Sequence, residues 1–337
     1  MKAKKMNAKL KDIAKELNLS VSTVSRVVNG KDRVAPNTRS RVLNALRNCD
    51  YRPNEIARSL RSRVVKTIVI VIPDIANNFY ASVIKGAQAV CRESEYSVMV
   101  CNTDGNELLE QEVLSALHRQ QISGMILASV ISSPEMVQHF REEGLQVVFV
   151  DNIPPATQSY DSVTINNVAA AQTLTRRMIE RGYTRIGLIT GALEQSSGSE
   201  RLDGYMRALE NADIPYDEQR VVEGDFTVES GYYGMKKLLV QNDGLRAVIV
   251  CNNFMAYGVI KAIRESHLAV PHDIAVAAFD VVDESGLIYP QITSINQPAM
   301  EIGEKAAQIL LLKLSSPEQN TYNNIFLDTF FSPGESW

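Results

Sequence analysis

Apolar residues near the start of the chain repeat with the spacing of an α-helix. From residue 10 to residue 17 the apolar side chains stand at i, i+3, i+4 and i+7, with lysines between them, which predicts an amphipathic helix. Ser20 is a favourable N-cap for a second helix, Val21–Val28, although its β-branched residues alone would favour a strand. A third helix is predicted from Pro36 to about Asn48. The pattern therefore predicts a small all-α headpiece with a helix-turn-helix.

The second helix has two chemically different faces. The stripe predicted to pack in the core comprises Val21, Val24, Val27 and Val28, with Val42, Leu43 and Leu46 supplied by the third helix. The opposite face carries Ser22, Thr23, Ser25 and Arg26, whose short hydroxyls and single guanidinium suit close approach to base edges and phosphates. The second helix is therefore the candidate recognition helix.

Beyond residue 66 the pattern changes to short apolar runs separated by amphipathic stretches. Seven runs have the length of buried strands: 67–72, 97–101, 124–128, 146–150, 185–190, 246–250 and 274–279. Continuous apolar strands with helical crossovers are typical of parallel sheets covered on both faces, and this number favours two sheets. A last strand is predicted at 325–331. The body is therefore predicted to be α/β, with a ligand site at the carboxyl ends of its strands.

Charge is divided between the same two parts of the chain. Residues 1–66 contain 17 Lys and Arg against 5 Asp and Glu, a net +12, whereas the remainder contains 18 against 34, a net −16. A basic end on an acidic body indicates a phosphate-binding module joined to a domain that does not bind nucleic acid. Together with the helix-turn-helix pattern, this charge favours double-stranded DNA as a partner.

Other classes of protein find little support. No apolar run is long enough for a membrane span and residues 1–15 have no apolar signal-peptide core, so a cytoplasmic protein is expected. No dinucleotide-binding, P-loop, zincin or nucleophile-elbow motif occurs, so neither an enzyme nor a bound cofactor is expected. No metal site is predicted from the widely spaced cysteines (Cys49, Cys91, Cys101, Cys251) or from the histidines, which are expected at the surface (His118, His139, His267, His272).

Polar and aromatic residues that follow the predicted strands indicate a ligand cleft. They are Asp74, Phe79, Tyr80, Asp104, Asp151, Asn252, Asn253 and Asp280. Carboxylates and amides can bind vicinal hydroxyls, and aromatic faces stack on sugar rings. For Asp74 and Asp104 a role as helix caps is an equally good interpretation.

Three segments carry a resemblance to a known family. Residues 10–14 (Leu-Lys-Asp-Ile-Ala), 23–29 (Thr-Val-Ser-Arg-Val-Val-Asn) and 51–60 (Tyr-Arg-Pro-Asn-Glu-Ile-Ala-Arg-Ser-Leu) resemble motifs of the LacI/GalR family of bacterial transcription regulators. The resemblance implies a headpiece over 1–49, a hinge over 50–65 and a two-lobed, periplasmic-binding-protein-like effector and dimerisation domain over 66–337. Lobe 1 is expected at about 66–163 and 292–324, and lobe 2 at about 164–291 and 325–337.

The resemblance also implies a DNA-binding surface. In the family, hinge helices pair across a dimer and insert a leucine into the minor groove, and Leu60 occupies the matching position. A basic linker that only connects domains is the alternative for the hinge arginines. The residues expected to contact DNA are Ser20, Val21, Ser22, Thr23, Ser25, Arg26, Asn29, Arg33, Tyr51, Asn54, Ala57, Arg58, Leu60 and Arg61.

The same resemblance implies an effector site. Arg201 matches the family's effector-binding arginine, and Asp151, Phe226, Asn252 and Asp280 match other recurrent positions of the cleft. With the residues that follow the first strand, the expected site is Asp74, Phe79, Tyr80, Asp151, Arg201, Phe226, Asn252 and Asp280. The sequence departs from the family pattern at two positions of this site. Asn253 replaces a common aspartate, and Gln195 replaces an arginine of purine-binding members. A purine is therefore disfavoured, and the expected ligand is a sugar, sugar phosphate or sugar acid.

The expected function is therefore a repressor whose homodimer binds a pseudo-palindromic operator. A small molecule would close the lobes and shift the population that binds DNA, acting as an inducer by default and as a corepressor otherwise. No leucine heptad follows the last predicted strand, so a coiled-coil tetramer is not expected. The alternatives are a transport-type sugar-binding protein without DNA function and an enzyme built on the α/β body.

Overall fold

A computed structural model describes residues 10–28, 34–49, 66–131, 135–242, 244–283, 286, 289–316 and 321–337. Contacts divide the chain into two compact units, residues 1–65 and residues 66–337. None of the helices formed by the described residues is long and apolar enough to cross a membrane.

The first unit contains the three predicted helices, α1 (Leu10–Glu16), α2 (Val21–Val28) and α3 (Pro36–Asn48). Their shared core consists of Ile13, Ala14, Val24, Val27, Val42 and Ala45. The prediction that Val21 and Leu43 belong to the core is wrong, because Val21 is 42% exposed and Leu43 is 39% exposed. Val21 lies at the first turn of its helix, beyond the small core, and the helical period turns Leu43 away from the face shared by Val42 and Ala45.

The second unit alternates strands and helices along the chain. Its elements are β1 (Thr67–Ile72), α4 (Asn78–Glu93), β2 (Ser97–Asn102), α5 (Glu107–His118), β3 (Gly124–Leu127), α6 (Glu135–Glu142), β4 (Gln146–Val150), β5 (Asp161–Ile165), α7 (Asn167–Glu180), β6 (Ile186–Thr190), α8 (Ser196–Glu210), β7 (Val221–Glu223), α9 (Val228–Gln241), β8 (Ala247–Val250), α10 (Asn253–Glu265), β9 (Ala275–Phe279), β10 (Thr293–Asn296), α11 (Ala299–Ser315), β11 (Asn324–Leu327) and β12 (Phe330–Ser332). All seven apolar runs predicted as strands are confirmed, as β1 to β4, β6, β8 and β9.

The strands form two sheets, as predicted. The first has the order β11-β5-β4-β3-β1-β2 and the second β12-β10-β9-β8-β6-β7. Neighbouring strands are parallel except at the edge of the second sheet, where β12 is antiparallel to β10. Apolar clusters cover both faces of the first sheet, with α4 and α11 on one face and α5 and α6 on the other. Lobe 1 is the first sheet with its helices, and lobe 2 is the second sheet with α7 to α10.

The predicted lobe boundaries need three corrections. All of β5 belongs to the first sheet, so the chain first crosses from lobe 1 to lobe 2 after residue 165 instead of 163. The second crossing follows residue 296, not 291, because β10 pairs with β9 in the second sheet. The single strand predicted at 325–331 is two strands, and β11 pairs with β5 in lobe 1 whereas only β12 joins lobe 2. Asp328 and Thr329 form the third crossing, which apolar alternation alone could not reveal.

Candidate functional site

A cavity of about 350 Å³ lies between the two lobes, where strands of both sheets end. The eight residues of the expected effector site all line it: Asp74, Phe79, Tyr80, Asp151, Arg201, Phe226, Asn252 and Asp280. The fold therefore brings together side chains that are widely separated in the sequence. That they bind an effector remains a prediction.

Arg201, on α8, is 2% exposed and is held rigidly at the cavity wall. Its Nε donates to Asn167 Oδ1 at 2.9 Å, its Nη1 donates to the Cys251 carbonyl oxygen, and its guanidinium carbon lies 4.2 Å from the centre of the Phe279 ring. Its Nη2 is buried without a hydrogen-bond partner among the described residues, and Asp280 Oδ2 is 4.0 Å away. A buried donor left unpaired costs about 1–3 kcal/mol, so this nitrogen is suited to a ligand oxygen.

Two aspartates occupy equivalent strand ends in the two lobes. Asp151 follows β4 and Asp280 follows β9, and both have left-handed backbone conformations, with φ of 61° and 58°. Tyr80 Oη donates to Asp151 Oδ2 at 2.7 Å, and the backbone and side-chain nitrogens of Gln297 donate to Asp280 at 2.8 and 2.9 Å. Burial raises the pKa of both carboxyls, and the positive charge of Arg201 opposes that rise. Non-glycine residues in such strained conformations concentrate at functional sites.

Phe226 forms an aromatic wall whose position is fixed by its neighbours. Its ring lies so close to Gly191 that a Cβ there would stand 1.8 Å from the ring carbon Cζ. Asn252 Nδ2 donates to the Phe226 carbonyl oxygen at 2.8 Å, while Asn252 Oδ1 caps α10 by accepting from the Met255 amide. The Asn252 amide therefore helps to fix the position of Phe226 at the cavity wall.

Side-chain amides join the lobes across the cavity. Asn77, which caps α4 in lobe 1, and Asn253, at the start of α10 in lobe 2, exchange two hydrogen bonds of 3.1 and 3.0 Å. Asn152 of lobe 1 donates to Gln195 Oε1 at 3.1 Å and accepts from the Ser197 amide at 2.9 Å. These contacts hold the two lobes together in the observed conformation.

Asp74 and Asp104 do not cap the helices that follow them. Asn77 accepts from the Phe79 amide at the start of α4, and Asn106 accepts from the Leu109 amide at the start of α5. The Asp74 carboxylate instead accepts from the Ala76 amide within the turn after β1. Both aspartates line the cavity, so the interpretation as helix caps is wrong.

The cavity is strongly acidic. Five carboxylates line it, whereas Arg201 is the one basic side chain among the described residues that do so; the carboxylates are Asp74, Asp104, Asp151, Asp225 and Asp280. Sequence reasoning missed several polar residues of the wall, namely Asn77, Asn152, Ser197 and Gln297. Asn152 adjoins Asp151 and could have been found, but Gln297 follows β10, whose polar sequence gave no strand signal.

In the first unit, the predicted recognition helix presents a polar surface. Ser22 and Arg26 are exposed with Val21, whereas Thr23 and Ser25 are half-buried. Ser20 caps the helix, since its Oγ accepts from the Thr23 amide at 3.1 Å. The other expected DNA contacts lie outside the described residues: Asn29, Arg33, Tyr51, Asn54, Ala57, Arg58, Leu60 and Arg61.

Comparison with known proteins agrees with this architecture. Residues 9–54 match the family described as bacterial regulatory proteins, lacI family, and residues 175–337 match a periplasmic binding protein-like domain. Catabolite control protein A of Priestia megaterium is 35% identical over 306 residues, which cover 90% of this chain and 92% of that protein. The chain belongs to the LacI family.

Other members of the LacI family are similar over almost the whole chain. The ribose operon repressor of Escherichia coli (strain K12) is 33% identical over 314 residues, covering 92% of this chain and 94% of the repressor. A solved structure of the transcriptional regulator CelR in complex with cellobiose has a TM-score of 0.76 at 28% identity, covering 98% of this chain and all of that one. This LacI-family protein is accordingly a regulator and not an enzyme, as predicted.

Proposed function

We propose that the chain is a transcription repressor whose homodimer binds a pseudo-palindromic operator and is controlled by a small, uncharged sugar held between its lobes. The observation that carries the proposal is the unpaired Nη2 of Arg201, buried at the wall of an acidic, aromatic cavity. In this function α2 reads the DNA and the cavity senses the sugar.

The exposed surface of α2 suits a helix in the major groove. Arg26 is exposed and can donate to a guanine edge or a phosphate, Ser22 can donate or accept, and the methyl groups of Val21 can contact a thymine methyl. A two-fold axis would place two such helices on successive half-sites. The hinge residues, which lie outside the described part of the chain, would add phosphate and minor-groove contacts.

The cavity favours a ligand rich in hydrogen-bond donors. Ionised carboxylates accept hydrogen bonds and donate none. The protein already donates to the aspartates of the wall, as Tyr80 does to Asp151 and Gln297 to Asp280, and their remaining lone pairs suit hydroxyl or amine groups of a ligand. Arg201 Nη2 supplies a donor for one ligand oxygen, and Phe79 and Phe226 offer rings for the apolar face of a sugar. A neutral sugar provides hydroxyls that both donate and accept, together with such an apolar face.

An anionic ligand fits this cavity poorly. A sugar phosphate or sugar acid would bring negative charge among five carboxylates, and Arg201 is the one basic side chain that the described part of the chain offers against them. Arg201 is moreover already close to Asp151 and Asp280, whose charges it partly compensates. At short distance in a partly buried site each uncompensated like-charge pair costs about 1 kcal/mol or more. Of the three sugar classes that the sequence left open, we therefore infer the neutral one.

Two relatives support the assignment of a sugar. The ribose operon repressor and the CelR–cellobiose complex are named for a pentose and for a neutral disaccharide. We extend only the chemical class to this chain and not either sugar, since the residues of the wall do not by themselves select ring size or number of rings.

A ligand that binds between the two lobes can control operator affinity. A sugar that contacts both Arg201 in lobe 2 and Asp151 in lobe 1 stabilises the conformation in which the lobes are together. The operator affinity then changes only by as much as the sugar favours one state over the other. We take the sugar to be an inducer, so its binding weakens operator binding.

A screen with matched ligands tests the effector class. The melting temperature of the full chain is measured with ribose and cellobiose and, in parallel, with ribose 5-phosphate and cellobionate. The screen extends to other aldoses and disaccharides. We expect one neutral sugar to raise the melting temperature, and the phosphorylated or oxidised form of that sugar to leave it unchanged at the same concentration. Stabilisation by a charged counterpart alone would refute the neutral class while leaving the repressor function intact.

A further inference from the structure

Two of the chain's four histidines meet on the surface of lobe 1, away from the cavity. His118 is the last residue of α5, and His139 lies in α6 one turn before Glu143. Because these two helices end here and lead into β3 and β4, the cluster is at the edge of the sheet where its strands begin. The proposed effector cavity is at the opposite edge, so the two sites are distinct.

The three side chains converge on one point. His118 Nδ1 lies 3.1 Å from Glu143 Oε2, and His139 Nε2 lies 3.6 Å from Glu143 Oε1. The candidate ligand atoms of the three residues all lie within 4.8 Å of one another. A tetrahedral ion with bonds of about 2.0–2.1 Å has ligand atoms about 3.3–3.4 Å apart. The two distances from imidazole to carboxylate, each to a different oxygen of Glu143, lie on either side of that value.

The backbone that carries these ligands is already fixed. Leu114 and Leu117 of α5 and Val137 and Phe140 of α6 are buried in the same apolar cluster. The His118 ring also packs against Phe140, with 5.6 Å between the ring centres. The amide of Glu143 donates to the His139 carbonyl oxygen at 3.1 Å, so the helical spacing that places both side chains on one face continues to Glu143.

We propose that His118, His139 and Glu143 bind a divalent transition-metal ion of the Zn²⁺ class. Two imidazole nitrogens and one carboxylate oxygen form a donor set that Zn²⁺ and its neighbours accept, whereas Mg²⁺ and Ca²⁺ prefer oxygen ligands alone. All three residues are exposed, so water completes the coordination. The ion would link the ends of α5 and α6 and stabilise lobe 1.

This set is more than an ordinary surface ion pair, since one carboxylate contacts two imidazoles that come from different helices. His272 provides the comparison within the same chain. Its Nδ1 lies 3.0 Å from Asp273 Oδ1, and it forms no part of a metal-ligating cluster among the described residues. Substitution of His272 is therefore the matched control.

The experiment titrates the metal-free full chain with ZnSO₄ near pH 7.5 and measures the dissociation constant by calorimetry, with melting temperature as a second readout. We expect one ion per chain, and a dissociation constant at least tenfold weaker in His118→Gln and in His139→Gln but unchanged in His272→Gln. Glu143→Gln, which removes the charge and keeps the shape, should weaken binding in the same direction. Circular dichroism verifies that each variant is folded.

Cobalt distinguishes this site from the cysteines. Co²⁺ bound by nitrogen and oxygen gives weak visible bands alone, whereas a thiolate ligand adds an intense charge-transfer band. Weak bands that disappear in His139→Gln support the proposal. A thiolate band, or zinc affinity that stays at the level of the unsubstituted chain in His118→Gln, His139→Gln and Glu143→Gln, would overturn it.

Discussion

The side chains of Asn77 and Asn253 form a reciprocal amide pair across the cavity, with hydrogen bonds of 3.1 and 3.0 Å. Both residues are buried, and each belongs to a different lobe. The resemblance to the family predicts an aspartate at position 253, where this chain has asparagine. In this chain the replacement makes a self-complementary contact that holds the lobes together, because an amide both donates and accepts.

Asn253→Asp is expected to weaken sugar binding by about tenfold. The carboxylate can still accept from Asn77 Nδ2, but Asn77 Oδ1 keeps only its donor from the Phe79 amide and now faces a negative oxygen. Loss of this buried hydrogen bond costs about 0.5–1.5 kcal/mol, which falls on the conformation with the lobes together. Calorimetric titration of the sugar identified in the screen measures the change. Equal affinity in the variant would show that the amide pair does not stabilise that conformation.

Arg201→Lys is expected to weaken sugar binding by about 100-fold while leaving operator binding without sugar unchanged. Lysine keeps the charge but has a single nitrogen, so it cannot hold Asn167 Oδ1 and the Cys251 carbonyl oxygen while donating to a ligand. Charged hydrogen bonds of this kind contribute about 1.5–3 kcal/mol. Titrations with sugar and with operator DNA on the same preparation separate the two effects. Wild-type sugar affinity in the variant would remove Arg201 from the site.

Arg26→Ala is expected to reduce operator affinity by about tenfold or more, because the exposed guanidinium would bind a base or a phosphate. Sugar binding should not change. Fluorescence anisotropy on an operator selected from random DNA, repeated over a range of salt concentrations, gives both affinity and salt slope. Lys11→Ala, an exposed basic residue of α1, is the matched control. An equal loss of operator affinity in both variants would indicate non-specific attraction between charges and not sequence recognition by α2.

Glu110 makes the stability of lobe 1 depend on pH. Its side chain is fully buried, accepts from Ser129 Oγ and from the Val130 amide, both at 2.7 Å, and burial raises its pKa to about 7. Since the folded state holds the proton more tightly than the unfolded state, this group's stabilisation is complete below the unfolded pKa and is lost as pH rises towards 7.

Glu110→Gln should therefore be more stable than the unsubstituted chain at pH 8, by up to about 3 kcal/mol, and similar to it near pH 4.5. Urea unfolding at the two pH values measures the difference. Glu112→Gln, an exposed position on the same helix, should show no such dependence. If Glu110→Gln and Glu112→Gln respond to pH alike, the buried carboxyl is not responsible.

Patterning predicted the elements that bury a continuous apolar face. The three predicted helices of the first unit and the seven strands predicted from apolar runs in the second unit are all present. In contrast, β10 contains Thr293, Ser294 and Asn296, which are buried because their side chains bond to neighbouring backbone and side chains. Such a strand has no apolar run, so the pattern assigned residues 292–296 to lobe 1, whereas β10 belongs to lobe 2.

The composition of the cavity could be predicted better than its arrangement. Residues that follow strands, such as Asp151 and Asp280, meet because parallel strands end at the same edge of a sheet. The roles of Asn252 and Asn77 depend on hydrogen-bond partners that only the folded chain reveals, and so does the meeting of His118 with His139. Side chains of segments remote in sequence leave no local signal.

Operator binding by the intact protein, measured with and without the neutral sugar selected by the thermal screen, tests the central claim most directly. We predict sequence-selective binding that weakens steeply with salt and that the sugar lowers at least tenfold in the unsubstituted chain but leaves unchanged in Arg201→Lys. Binding that no neutral sugar alters, or that the sugar alters equally in Arg201→Lys, would contradict control of DNA binding through this cavity.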